Sequence, residues 1–217
     1  LPKLKTEVFK KMYEGIMDIL VVPTNFGEDT GVLDDFLPSI IDTDKNKLLE
    51  FLGAIDTGIK DIEYDDTENE IRFITFHVGR DGKMYPLNLY NESEGTIKSV
   101  VLFIFAQIAL LRNRTIFVDE LNIKLHPLLL KFIIDLFYED GSEAQLIYTT
   151  HDTTLLDKKF FRRDQIWFVQ KDEFGYSKLI ALSDYKVRAD SSFEKDYLAG
   201  VYGGIPFFKD FKMKEGD

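Results

Sequence analysis

The stretch Thr115-Ile116-Phe117-Val118-Asp119-Glu120 decides the fold. A short apolar run, bounded by Arg112 and Arg114 on one side, leads straight into two adjacent carboxylates. Its length and its β-branched and aromatic content mark a buried strand. Downstream, Pro127 suits a first helical turn, where its missing N–H costs little. The apolar spacing predicts a helix over Leu128 to Tyr138, stopped by Glu139-Asp140-Gly141. Gln145 to Thr149 then predicts a second strand. A strand, a helix and a strand with short joints imply a parallel pair joined by a crossover helix, and hence an α/β fold.

Working back from this unit, Ser93 opens the strongest helical pattern of the chain. Ile97, Val100, Val101, Ile104, Phe105, Ile108 and Leu111 follow an i, i+3, i+4 spacing. Leu102, Phe103 and Leu110 fall on its other sides, which predicts burial nearly all round. The segment from Gly58 to Tyr90 reads as a small antiparallel unit: strands over Ile59 to Tyr64, Ile71 to Val78 and Lys83 to Tyr90, with Asp81-Gly82 as hairpin turn. Before it, helices are predicted over Glu7 to Leu20, broken by Pro23 and Asn25 to Gly27, and over Lys47 to Ile55. After the parallel pair, Ile166 to Gln170 and Ser177 to Leu182 predict two further strands. A helix near Phe193 to Leu198 and the glycine-rich Gly200 to Pro206 close the chain. The expected organisation is a helical lead-in over residues 1–57 and one lobe over 58–217.

Composition narrows the function. The 217 residues carry 27 Lys and Arg against 38 Asp and Glu, a net charge of −11. Phosphate contacts need clustered cations, so this balance argues against broad nucleic-acid binding by this lobe. Cysteine is absent, which excludes disulfides, thiolate metal sites and cysteine nucleophiles and fits a cytoplasmic location. No apolar run approaches the ~20 residues of a membrane span, and no charged-then-apolar leader is visible. The expectation is therefore a protein without a membrane partner. The first residue is Leu1, not Met, from which we expect that something upstream is missing or was removed.

Four constellations could carry chemistry. In nucleotide hydrolases an acid placed like Asp119 holds Mg²⁺ and one placed like Glu120 polarises the attacking water; the same pair also reads as a solvated acidic turn. Thr149-Thr150-His151-Asp152 ends the second strand in hydroxyls and a histidine. If the two strands are parallel neighbours, Asp119, Glu120 and His151 emerge at one sheet edge, where open α/β sheets bind ligands. His151 also reads as a cap or a core residue. Ser93-Glu94-Gly95-Thr96 offers a hydroxyl and backbone N–H groups at the positive end of a helix, suited to a phosphate or simply to capping. Leu125-His126-Pro127 reads as the start of a helix, and His77 as a structural residue in a strand.

In chain order, Ser93 to Thr96, Val118 to Glu120, Leu125 to Pro127 and Thr149 to Asp152, the four motifs resemble an ABC-type ATPase head, within the AAA and P-loop NTPase class. They are most similar to the RloA and abortive-infection ATPases of bacterial anti-phage loci, kin to SMC and OLD-nuclease heads. Arg163 to Val169 and the tail from Tyr197 to Pro206 are similar to the C-terminal end of that group. The resemblance covers Asn91 to the C-terminus well and the first 90 residues weakly. It implies ATP and Mg²⁺ as ligands, with Asp119 at the metal, Glu120 as catalytic base and His151 at the γ-phosphate. It further implies that Ser93, Gly95 and Thr96 form a signature closing on ATP held by a second copy, with Asn122 to Leu125 at the dimer seam. The implied fold is the C-terminal lobe of such a head: a mostly parallel sheet flanked by helices, with the helical and antiparallel portion N-terminal to it.

The sequence departs from the pattern in three places. The signature lacks its leading Leu, and Val201 stands where a basic residue is common. The phosphate loop Gly-x-x-x-x-Gly-Lys-[Ser/Thr] is absent; the Gly82-Lys83 pair is followed by Met84 and has no Gly at position 77. The resemblance therefore implies a missing N-terminal lobe that carries this loop. A nuclease or toxin partner would fit the same loci. Two other functions compete: a non-catalytic scaffold or interaction module, and a metal-dependent phosphoesterase or nuclease built on Asp119, Glu120, His126 and His151.

Overall fold

The structure, a computed structural model, describes residues 15, 19–22, 31–67, 70–138, 141–188 and 191–205. The chain divides into two compact units, residues 1–151 and 152–217.

In the first unit, β1 (Leu20–Val22), β5 (Thr115–Val118) and β6 (Gln145–Tyr148) form a parallel sheet in the order β1-β5-β6. The register pairs Val22 with Val118, and Val118 with Tyr148, so the carboxyl ends of the strands lie level. Val22, Ile116 and Val118 point into the core, whereas Val21 and Ile147 on the opposite face are exposed. The parallel pairing expected of the strands ending at Glu120 and His151 is present. The sequence does not foresee the third strand: Leu20 lies in β1, not at the end of a helix, and the rest of the predicted helix over Glu7 to Leu20 lies outside the described residues, Gly15 and Ile19 apart. Three residues are too few to show a period, and their partner β5 is far along the chain.

The antiparallel unit is present as read. β2 (Ile59–Asp65), β3 (Arg72–Val78) and β4 (Met84–Asn88) pair in sequence order. Gly82 turns the second hairpin at φ 76°. Pro86 is tolerated because β4 is an edge strand, where a missing N–H interrupts one ladder only.

Two long helices complete the core. α1 (Gly31–Ala54) is longer than the predicted Lys47 to Ile55 and contains Pro38. It bends at Asp44, whose φ of −134° and ψ of 26° are not helical. Gln107 Nε2 donates to Asp44 Oδ2 at 3.0 Å and ties the bend to the neighbouring helix. That helix, α2 (Glu94–Arg112), begins at the Ser93 cap and ends at Asn113 in the left-handed conformation. It is buried on nearly all sides from Ile97 to Ala109, while Leu111 at its end is 71% exposed. By length and composition α2 is apolar enough to cross a membrane, with a mean hydropathy of 1.6. This corrects the expectation that no segment comes near that size. Its buried Lys98, Ser99 and Gln107 and its packing against α1, β1 and β5 make it the central helix of the unit. The crossover helix α3 (Pro127–Asp135) follows β5, with Leu130, Ile133 and Ile134 buried.

In the second unit, β7 (Trp167–Lys171) and β8 (Ser177–Ala181) pair antiparallel with each other, and α4 (Phe193–Leu198) lies where the sequence placed it. Ile166, Phe168, Leu182, Phe193 and Tyr202 form its core. Gly204 shows why the tail is rich in glycine: its φ is 72°, and a Cβ there would stand 3.0 Å from the Val169 carbonyl oxygen.

Candidate functional site

The parallel register delivers Asp119 and Thr149 to the same edge, one residue beyond β5 and β6. Thr149 Oγ1 donates to Asp119 Oδ1 at 2.6 Å. The same hydroxyl oxygen accepts the Glu120 amide at 2.8 Å. Two further backbone bonds lace the ends together: Thr149 N to Val118 O at 3.0 Å and Leu121 N to Thr149 O at 3.0 Å. Glu120 then reverses the chain with φ 48°, a conformation uncommon outside glycine. Its carboxylate lies 3.9 Å from His151 Nε2, too far for a hydrogen bond. The His151 side chain is 88% exposed, so it is not a core histidine. Asp119, Glu120 and His151 are thus brought together as the strand pairing implied.

The N-terminus of α2 packs against the turn after Glu120. Lys98 Nζ donates to Ile123 O at 2.8 Å and to Glu120 O at 3.3 Å. Its ammonium is pushed down to about 8, first by burial and then by Lys124, against the opposing pull of Glu120. Lys124 pairs with Glu94 at 3.0 Å. Gly95 lies so close to this turn that a Cβ would sit 2.8 Å from the Lys124 carbonyl oxygen. Ser93 Oγ accepts the Thr96 amide at 3.1 Å and shares a 2.8 Å hydrogen bond with Thr96 Oγ1. Ser93 and Thr96 therefore cap the helix, while Gly95 permits close contact with the turn. On the other side, Glu92 Oε1 accepts from Thr75 Oγ1 at 2.6 Å and pairs with His77 Nε2 at 2.6 Å, so His77 is structural as expected.

His126 Nδ1 accepts the Leu128 amide at 3.2 Å and caps α3. It is committed to its own helix, which removes one member of the four-residue set that a metal-dependent phosphoesterase would use. Among the described residues no group of three or more His, Asp or Glu is arranged to hold a metal. The Asp119–Glu120 pair does fit Mg²⁺, which takes one or two carboxylates and completes its shell with waters and substrate phosphates.

Sequence reading missed two residues that shape this edge. Thr149 was noted as one of several hydroxyls; its role as the bridge depends on the strand register. Lys98 has a visible signal, a cation one turn after Glu94 on a helix whose pattern predicts burial nearly all round, where a charge demands an internal partner.

Acids held at the carboxyl edge of a parallel sheet, with a crossover helix behind them, fit a P-loop NTPase-like α/β fold. Residues 8–157, more than two thirds of the chain, match the family described as "AAA domain, putative AbiEii toxin, Type IV TA system". The chain belongs to this family and so to the ATPase-type, nucleotide-binding proteins. No curated protein matches it.

Proposed function

We propose that this chain is the C-terminal lobe of an ABC-type ATPase head of the abortive-infection kind. It would act in the cytoplasm on ATP with Mg²⁺, and residues 58–217 would form the lobe proper. The supporting observation is the Thr149 bridge, which fixes Asp119 and Glu120 at one edge with His151 3.9 Å from Glu120.

Bound Mg²⁺ would neutralise charge on the phosphates and orient them. Asp119, oriented by Thr149, would hold the ion. Glu120 would accept the proton of the attacking water as that water's oxygen bonds to the γ-phosphorus and the bond from that phosphorus to the β–γ bridging oxygen breaks, releasing ADP. His151, exposed beside Glu120, would donate to a γ-phosphate oxygen. The phosphates themselves need a Gly-rich cradle. The Gly82-Lys83 pair cannot supply it, since it forms the β3–β4 turn. We therefore assign the cradle to a separate phosphate-loop lobe. Ser93, Gly95 and Thr96, with Asn122 to Leu125 beside them, would face ATP held by a second copy. A nuclease or toxin would be the downstream partner.

Glu120→Gln in the complete protein tests this. Turnover should cease while ATP binding persists, and an ATP-bound dimer should accumulate on size exclusion. Persistent turnover would remove Glu120 as the base. The missing loop favours one other reading, an ATP-blind scaffold. Calorimetry of this chain mixed with its phosphate-loop lobe separates the two, since a scaffold binds no Mg-ATP.

A further inference from the structure

We infer that Lys98 is a positioning residue for Glu120; the inference rests on the reading of Glu120 as the base. Glu120 adopts φ 48°. A side chain in this region persists only where its surroundings over-determine it. The amide side is fixed by Thr149. The carbonyl side is fixed by Lys98, whose Nζ spans the turn from Glu120 O to Ile123 O. Within that turn Ile123 N donates to the same Glu120 carbonyl at 3.1 Å. One ammonium thus staples both ends of a single reverse turn, and that turn aims the Glu120 carboxylate.

The chemistry of the staple argues for a purpose beyond packing. Lys98 is 3% exposed in a helix whose buried side chains are mostly apolar. A methionine would fill much the same space without removing a charge from water, a cost that buried ions carry even when well paired. The lysine brings donors to two carbonyls of the turn, and it brings them from the helix that Ser93 begins. The turn bearing Glu120 and the start of α2 are in this way joined through one side chain.

The test compares Lys98→Met, Lys98→Arg and Glu120→Gln in the complete protein, with hydrogen exchange measured on this chain. Lys98→Met should lower kcat by roughly 10²-fold, the scale of a misplacement of about 1 Å, with KM for ATP little changed. Lys98→Arg should restore part of kcat. The Leu121 and Ile123 amides should exchange faster in Lys98→Met, while those in the middle of α2 stay protected. If Lys98→Met does not fold, Lys98→Gln takes its place with the same expectations. Unchanged kcat, or a fall confined to KM, overturns the proposal. So does unchanged exchange in the turn. If Glu120→Gln turns over normally, the reading of Glu120 as base fails by itself, and exchange in the turn still decides whether Lys98 holds it.

Discussion

The Thr149 hydroxyl is bound to Asp119 Oδ1 at 2.6 Å, across two strands that are 30 positions apart in the chain. It also receives the Glu120 amide, so one oxygen sets the geometry of both acids. Thr149→Val keeps the shape and removes both bonds. The site is exposed to water, which can replace them, so the stability cost should be about 1 kcal/mol. Turnover of the complete protein should fall much further, and Thr149→Ser should recover most of it. A denaturation midpoint and a rate measured side by side check this; a loss of stability with normal turnover would contradict it.

Gly95→Ala sets two effects against each other. Alanine is favoured over glycine inside a helix by about 1 kcal/mol. Its Cβ, however, would stand 2.8 Å from the Lys124 carbonyl, a backbone atom that cannot swing away. Overpacking of this kind costs about 1–3 kcal/mol, so the variant should be less stable in urea unfolding. A gain in stability would show that the turn yields.

Glu92 joins the antiparallel sheet to the start of α2. Its side chain is 9% exposed and meets Thr75 and His77 through one oxygen. Glu92→Ala takes from the fully buried Thr75 hydroxyl the nearer of its two acceptors and leaves it the Leu87 carbonyl at 3.1 Å. A loss of about 1–3 kcal/mol is expected, with Glu92→Gln milder. Equal losses in the two variants would show that the carboxylate charge matters, and neither the filled space nor a neutral acceptor.

Tyr202 makes the second unit sensitive to alkali. Its ring stacks on Phe168 at 5.1 Å, and its hydroxyl donates to Asp196 Oδ2 at 3.1 Å. Burial first, then the hydrogen bond and charge of Asp196, push the phenol from 10.0 up to about 12. A raised folded value means that the unfolded chain loses this proton first. The contribution is complete below pH 10 and is lost as the pH climbs toward 12. Tyr202→Phe should flatten the fall in stability over that window, followed by unfolding at a series of pH values. An identical fall in both proteins would place its origin in other groups.

The features legible in the sequence were those written locally. Thr115 to Glu120 showed a strand and its acids, Asp81-Gly82 a hairpin, Ser93 a cap and His126-Pro127 a helix start, because each depends on neighbours a few residues away. Convergence of Asp119 and His151 followed from the parallel order alone. What stayed hidden depends on distant partners. Leu20 to Val22 is a strand only because β5 offers it a ladder. Pro38 disguised the first half of α1, and the bend at Asp44 is satisfied by Gln107 from another helix. Thr149 and Lys98 look like one more hydroxyl and one more cation until the register and the turn give them acceptors.

The contact between Gly95 and the Lys124 carbonyl has a mechanical meaning. With no side chain between them, and with Lys98 drawn across the same gap, the helix start and the acidic turn have no slack. A displacement of Ser93 would therefore press on the backbone that carries Glu120. A methyl group added at Gly95 would meet the Lys124 carbonyl and force one of the two to move.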